Sequence, residues 1–283
     1  MSTQRTIILV GVDGSPSSDR AIGWAADEAA RSGRTLRLLH IVETAALDLP
    51  GHMTDGIAEA LVEAGNQILR HGQAHAERRQ PELGVETVVA HDRNVTAGLR
   101  HHADQAAVVV VGHRGRGGFT GLLLGSTGLR LAGHHPGPVV VVRDQADTAA
   151  DEIVVGLDLV EDPAPALDHA FAAAAARGAS LRVLHAWRPA PLAVEARVDS
   201  RIVTDTLRGH LSTVVASWLD RHPDVKVIED VVIGHPANAL AAASAHAALV
   251  VVGSRGRSIP LGSVSHGVIH HAQCPVAVVR PCD

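Results

Sequence analysis

A glycine-rich segment from Gly112 to Thr127 has the residue types of a phosphate-binding loop. Gly112 and Gly115 follow a run of valines, and without a Cβ atom their backbone can approach a bound group and turn N–H donors towards it. At the other end, Gly125 leads into a predicted helix, whose first turn gathers unpaired N–H groups and partial positive charge. The segment therefore predicts a site for a phosphate-bearing ligand. Hydroxyl groups or positive charge are added by Ser126, Thr127, Arg114 and Arg116.

Two better-known phosphate-binding motifs do not fit this segment. The Walker-type loop requires GxxxxGK followed by Ser or Thr, and the single lysine of the chain, Lys226, lies in no such motif. The dinucleotide fingerprint GxGxxG is nearly matched from Gly115, but Thr120 stands in place of the third glycine. That fingerprint also follows the first strand of its fold, whereas this segment follows the fourth predicted strand. The segment therefore indicates a phosphate site of another type.

The elements around the segment are predicted from short, continuous runs of Val, Ile and Leu, which are typical of parallel strands buried on both faces. Each connection between these strands is long enough for a crossover helix. This order predicts an α/β fold with a doubly wound, five-stranded parallel sheet, which binds ligands outside the carboxyl ends of its strands. Asp13, residues 40–42 and the Gly112 loop stand at such ends. In the first half we expect strands near 6–12, 35–41, 85–90, 106–111 and 138–142, and helices near 16–33, 55–79, 96–104 and after 125.

The same organisation is repeated in the second half of the chain. TIILVGVD recurs as EIVVGLD, and AAVVVVGHRGR recurs as AALVVVGSRGR. The offset between the copies is 145 at Asp13, 141 at Gly112 and 137 at Pro138. Two losses of four residues therefore separate the copies, and one of them falls within the second glycine-rich segment. We expect two tandem domains, at 1–145 and 151–283, joined by the polar, alanine-rich stretch DQADTAAD.

Composition narrows the range of partners and compartments. The net charge of −5 favours neither nucleic acid nor an anionic membrane, and at 2% the aromatic residues that stack on single-stranded nucleic acid are scarce. No apolar run approaches the ~18 residues that a membrane span needs. Two cysteines and the absence of a signal peptide are typical of a cytoplasmic protein. We therefore expect a small molecule or another protein as the partner.

The spacing GxxGx9GS, which begins at Gly112, resembles the nucleotide-binding signature of the universal stress protein family and matches it in full. The stretches GVDGS at 11–15, LLHIV at 38–42 and PVVVV at 138–142 are similar to other parts of that family's pattern. The resemblance covers nearly the whole chain and implies a tandem two-domain member of the Rossmann-like fold.

The resemblance implies an adenine nucleotide, usually ATP, with or without Mg²⁺. It implies that Asp13 bonds the ribose or the adenine edge and that Ile41 offers its backbone to the adenine. Val111 and Gly112 would line the sugar and the first phosphate, and the glycine loop would hold the other phosphates. The implied site of the first domain comprises Gly11, Val12, Asp13, Ile41, Val111, Gly112, Arg114, Gly115, Arg116, Gly125, Ser126 and Thr127.

The second copy departs from this pattern in its glycine-rich segment. Five residues instead of nine separate its second and third glycines, and Pro260 removes one N–H donor. Glu161 and Asp162 add negative charge, which disfavours a triphosphate. We expect the first domain to bind ATP well and the second to bind it weakly or not at all. The weaker candidates of the second domain are Asp158, Ala186, Gly253, Gly256, Gly262 and Ser263.

Three function classes stay open: a nucleotide-dependent stress or regulatory protein, a slow ATPase, and a structural pseudo-dimer that acts through protein–protein contacts. Efficient phosphoryl transfer needs metal, positioned charge and an oriented nucleophile, and the sequence has no clear base or Walker-B acid. Binding is therefore favoured over catalysis. Because the fifth strands of two domains pair in the family, residues 138–142 and 275–279 are expected to pair within the chain, and a homodimer is open.

Several other polar residues receive structural interpretations. The chain has 19 histidines, but adjacent pairs diverge by about 100° on a helix and no HExxH or CxxC motif is present, so no metal site is predicted. His40 and His185 are expected to pack at the ends of the second strands. His113 is interpreted as either a phosphate contact or a solvent-facing side chain. Ser15 and Ser17 are interpreted as helix-capping residues.

Overall fold

The chain folds into two compact units, Met1–Asp144 and Gln145–Asp283. Each is an α/β unit with a five-stranded parallel sheet, as the sequence predicted. The computed structural model describes residues 6–44, 55–115, 125–143, 150–189, 199–254 and 261–280.

The first unit has the strand order β3-β2-β1-β4-β5, and all of these pairings are parallel. Helix α1 packs with α2 and α3 packs with α4, and right-handed crossovers place the two pairs on opposite faces of the sheet. Helix α3 ends three residues before the predicted limit at 104. The strands are β1 (Ile7–Gly11), β2 (Thr35–Glu43), β3 (Val85–Asp92), β4 (Ala106–Gly112) and β5 (Val139–Val142), and the helices are α1 (Pro16–Ser32), α2 (Asp55–Arg79), α3 (Val95–His101) and α4 (Ser126–His134).

The second unit repeats this topology with the order β8-β7-β6-β9-β10, again parallel throughout. Helix α5 packs with α6, and α7 packs with α8. The strands are β6 (Glu152–Gly156), β7 (Ser180–Trp187), β8 (Val227–Ile233), β9 (Leu249–Gly253) and β10 (Val276–Val279), and the helices are α5 (Ala164–Arg177), α6 (Ser200–Arg221), α7 (Pro236–Ala243) and α8 (Ser263–His271).

The central strands are buried on both faces in each unit. Ile8, Leu9 and Val10 of β1 are fully buried, and so are Ile153, Val154 and Val155 of β6. This explains why the strands read as continuous apolar runs, since helices cover both sides of a parallel sheet.

The first helix of each unit ends alike but begins differently. Gly33 and Gly178 end α1 and α5 in the left-handed conformation, with φ of 62° and 61°. Ser15 is the N-cap of α1, and its hydroxyl accepts a hydrogen bond of 3.2 Å from the Ser18 N–H. Helix α5 begins at Ala164, three residues later in the aligned repeat than α1, and its N-cap, Pro163, supplies no side-chain hydrogen bond. The second unit therefore has no counterpart of the first helical turn of α1.

Candidate functional site

A cavity of about 510 Å³ opens at the carboxyl edge of the first sheet, beside β1 and β4, where the strand order reverses. Ser126 is the exposed first residue of α4 and is absent from the cavity lining. Arg116 lies outside the described residues. Ten of the twelve residues predicted for the first-domain site line the cavity, namely Gly11, Val12, Asp13, Ile41, Val111, Gly112, Arg114, Gly115, Gly125 and Thr127.

One side of this cavity is apolar and is shared by three elements. Leu61, Ala64 and Ile68 line it from α2, together with Leu99 of α3 and residues 39–42 of β2. The three α2 residues were not among those predicted from the sequence. Their spacing of three and four residues is the signal that could have found them, because it places them on one helix face.

The end of β2 is held against the end of β1 by a histidine. The Nδ1 of His40 donates to the Val12 carbonyl over 2.8 Å, and His185 makes the equivalent bond of 3.0 Å to Leu157 in the second unit. A Cβ on Gly65 would lie 2.7 Å from the His40 ring, so α2 approaches this ring closely. Both histidines therefore have the structural role that the sequence predicted.

The opposite side of the cavity includes the start of α4. Gly125 is the N-cap and supplies no side-chain hydrogen bond, while its own N–H donates to the His113 carbonyl over 2.7 Å. Thr127 and Gly128 of the first turn line the cavity. A helix N-terminus of this kind has N–H donors and partial positive charge without a capping side chain. It is suited to an anionic group.

Asp13 lies between the glycine loop and the start of α1. Its Oδ1 accepts a hydrogen bond of 3.0 Å from the Ser15 N–H. A Cβ on Gly115 would lie only 2.8 Å from Asp13 Oδ2, so the loop backbone passes close to the carboxylate. A side chain at position 115 would therefore displace the carboxylate of Asp13. A carboxylate that can accept hydrogen bonds from hydroxyl groups therefore lies beside backbone amides.

The structure corrects the interpretation of His113 and Ser17. His113 is 3% exposed, so it does not face solvent, and it is absent from the cavity lining. Its Nδ1 shares a hydrogen bond of 2.8 Å with Ser17 Oγ. Ser17 is therefore bound to the glycine loop, and Ser15 alone is the N-cap of α1. The two partners are 96 residues apart, and the sequence carries no signal for this contact.

The second unit has a smaller cavity of about 170 Å³ at the equivalent edge. Glu161 and Asp162 also line it, as their positions in the sequence indicated. Ser263, the first residue of α8, is absent from the lining, and Gly256 lies outside the described residues. The predicted residues in the lining are Asp158, Ala186, Gly253 and Gly262.

A leucine lines the apolar side of each cavity, next to the last residue of the first strand. Leu240 is 2% exposed, and its Cδ1 lies 2.6 Å from where a Cβ on Gly156 would be. In the first unit the equivalent distance, from Gly11 to the methyl groups of Leu99, is 3.1 Å. The leucine therefore packs closer to the first strand in the second unit.

Comparison with known proteins identifies the family. The model of the universal stress protein family matches residues 4–143 and 150–280. The chain belongs to the universal stress protein family. A universal stress protein of Mycolicibacterium smegmatis is 34% identical, over 97% of this chain and 97% of its own length. One of Mycobacterium tuberculosis H37Rv is also 34% identical, over 99% of this chain and 97% of its own. The resemblance inferred from the glycine spacing is thus confirmed.

A solved structure shares the fold of this universal stress protein across both halves. The crystal structure of a universal stress protein from Archaeoglobus fulgidus aligns with a TM-score of 0.72 and 19% identity, and the alignment covers 98% of this chain and 99% of that one. The α/β fold of both halves is therefore found in a solved structure.

Two further observations describe this universal stress protein. Among the described residues, no three His, Cys, Asp or Glu side chains are grouped so that they could hold a metal ion. Within the same parts of the chain, every helix is too short or too polar to cross a bilayer.

Proposed function

We propose that the first domain of this universal stress protein binds an adenine nucleotide, ATP, with or without Mg²⁺, and that the chain serves a nucleotide-dependent regulatory role in the stress response. The observation that carries the proposal is the 510 Å³ cavity, in which an apolar side, a carboxylate and a helix N-terminus without a capping side chain meet. An apolar side suits a base, a carboxylate suits the hydroxyls of a sugar, and a helix N-terminus suits a phosphate chain.

Each part of the nucleotide has a matching wall in this proposal. The base lies against the apolar side formed by α2, α3 and the end of β2. The ribose hydroxyls donate to the carboxylate of Asp13. The phosphates accept hydrogen bonds from the amides near Gly115 and Thr127 and are attracted by Arg114.

The second domain is proposed to bind ATP weakly or not at all. Its cavity of 170 Å³ is about a third as large as that of the first domain, and Glu161 and Asp162 lie in its lining. Carboxylates near a triphosphate raise the cost of binding, because like charges repel across short distances. One nucleotide per chain is therefore expected.

Binding without turnover is proposed because the Asp13 carboxylate is assigned to the ribose hydroxyls, and the described residues assigned to the phosphates offer amides, a hydroxyl and an arginine. Such groups hold negative charge but do not remove a proton from an attacking water. ATP occupancy, rather than its hydrolysis, is the signal in this proposal.

Calorimetric titration of nucleotide-free protein with ATP tests the proposal. We expect one site per chain, and we expect Asp13→Ala to weaken binding while the matched variant Asp158→Ala leaves it unchanged. Mass analysis of the nucleotide that copurifies with the chain, together with a turnover assay, completes the experiment. Absence of binding, two equally tight sites, or multiple turnovers that Gly115→Val abolishes would each refute the corresponding part of the proposal.

A further inference from the structure

Three buried or partly buried hydrogen bonds connect the start of α1 with the loop that follows β4. Ser17 Oγ and His113 Nδ1 are 2.8 Å apart, and the Arg114 N–H donates to the same Oγ over 3.3 Å. The Ser15 hydroxyl donates to the Arg114 carbonyl over 3.5 Å. Ser17 and His113 are 4% and 3% exposed. The contact is therefore shielded from competing water.

The backbone of His113 extends this connection to two more elements. Its N–H donates to the Val142 carbonyl at the end of β5 over 3.0 Å, and its carbonyl accepts from the Gly125 N–H over 2.7 Å. Gly125 is the N-cap of α4. One residue thus contacts β5 and α4 through its backbone and α1 through its side chain.

The second domain keeps only part of this arrangement. Ser254 occupies the position of His113, and its N–H makes the equivalent bond of 3.0 Å to Val279. Its side-chain hydroxyl is buried and has no hydrogen-bond partner among the described residues, and the residue is 5% exposed. Asp162 occupies the position of Ser17, is exposed, and instead accepts a bond of 3.0 Å from the Ala164 N–H.

We propose that His113 is the positioning residue of the nucleotide site in the first domain. Through Ser17 it holds residues 113–115, the described start of the glycine-rich segment, at a fixed distance from Asp13 and from the start of α4, without touching the ligand. A loop ordered before binding spares the nucleotide the entropic cost of ordering it. This inference rests on the proposed function and names the residue on which phosphate affinity depends.

The affinities of each variant for ATP and for adenosine distinguish an effect on the glycine-rich segment from a general loss of stability. We expect His113→Ala to weaken ATP binding about tenfold and to change adenosine binding less than about twofold, because the walls for base and sugar come from other elements. His113→Asn should restore most of the affinity, since its amide can still bond Ser17 Oγ. Ser254→Ala is the matched control and should change neither ligand's affinity.

The contact between the two side chains is tested by a double-mutant cycle. Ser17→Ala should weaken ATP binding about as much as His113→Ala does, and the double variant should be no weaker than either single one. Ser17→Ala removes only a hydroxyl, so it carries the test if His113→Ala fails to fold. Fully additive losses would overturn the inference, as would equal losses for ATP and adenosine.

Hydrogen exchange of the ligand-free chain gives a readout that does not depend on nucleotide. We expect faster exchange at Arg114 and Gly115 in His113→Ala than in the wild type, with no change around Gly253. Unchanged exchange at the loop would refute the positioning role. Failure of the wild type to bind ATP would refute the proposed function instead, and exchange alone would then decide whether His113 holds the loop.

Discussion

The last residue of the fourth strand in each domain is a glycine, and a single added methyl group should affect the two domains in opposite directions. A Cβ on Gly112 would lie 2.6 Å from Ser17 Oγ and 2.7 and 2.8 Å from the carbonyl oxygen and carbon of Ser17. A Cβ on Gly253 would meet no atom of the described residues within 4 Å. Neither glycine has a positive φ, so alanine adds no torsional strain at either position. The difference comes from packing alone.

The expected magnitudes follow from these distances. In Gly112→Ala the start of α1 must move, because two of the three close atoms belong to its backbone, and such overpacking costs about 1–3 kcal/mol. Alanine also lowers the conformational entropy of the unfolded chain, which stabilises the folded state by about 0.4–1 kcal/mol at both positions. We therefore expect Gly112→Ala to lower the free energy of unfolding of the first domain by about 1.3 kcal/mol, the difference between the midpoints of these two ranges. Gly253→Ala should raise that of the second domain by about 0.4–1 kcal/mol.

Hydrogen exchange resolved by mass spectrometry measures these changes separately, because peptides from each unit report the opening of that unit. The two variants and the wild type are compared without ligand at the same pH and temperature. The reasoning is refuted if Gly112→Ala stays within about 0.5 kcal/mol of the wild type, the range of ordinary surface substitutions. A loss of stability in Gly253→Ala would refute it as well.

Two further outcomes are expected. Gly115→Val combined with Gly125→Val should abolish ATP binding, because the valine side chain at position 115 would clash with the carboxylate of Asp13. The double variant should leave the far-ultraviolet circular dichroism unchanged, and a loss of helical signal would contradict this prediction. Burial raises the pKa of Asp27, but hydrogen bonds from Arg79 and the neighbouring Gln80 outweigh it and hold that pKa below its usual value. Because this pKa is lowered in the folded state, the ionised carboxylate stabilises the fold at pH values above its unfolded pKa of about 3.8. That stabilisation is lost as the pH falls through the folded pKa. Asp27→Asn should therefore lower the free energy of unfolding by about 1 kcal/mol near neutral pH and by progressively less in acid. Urea unfolding at several pH values measures this difference. A loss of stability that does not depend on pH would contradict the prediction.

Local patterns in the sequence were sufficient for the strands, for the cap residues Ser15 and Gly33, and for the glycines that line the first cavity. The valines of β5 read as a continuous run because both faces of the sheet are covered. Gly33 ends α1 because a left-handed residue is needed there. Gly112, Gly115 and Gly125 meet at one cavity because the carboxyl ends of parallel strands share one edge of the sheet. Each of these conclusions depends on residues that are close in sequence or on a rule of topology.

Contacts between distant segments could not be predicted in the same way. Ser17 and His113 meet only after β1 and β4 pair, and neither residue type specifies the other as a partner. The position of Leu240 over Gly156 depends on how α7 packs. The late start of α5, at Ala164, involves no insertion or deletion relative to the first copy, so the offsets do not reveal it. The three features distinguish the two domains by packing rather than by motif.

The unequal cavities have a consequence for how the chain responds to heat. With ATP held by the first domain alone, mass action stabilises that domain by about 2.7 kcal/mol at a free ligand concentration of 100 times the dissociation constant. The second domain gains nothing from the same ligand. The melting temperature of one half would then rise and fall with the nucleotide supply while that of the other half stays constant. Nucleotide depletion would thus lower the heat tolerance of the first domain without acting directly on the second.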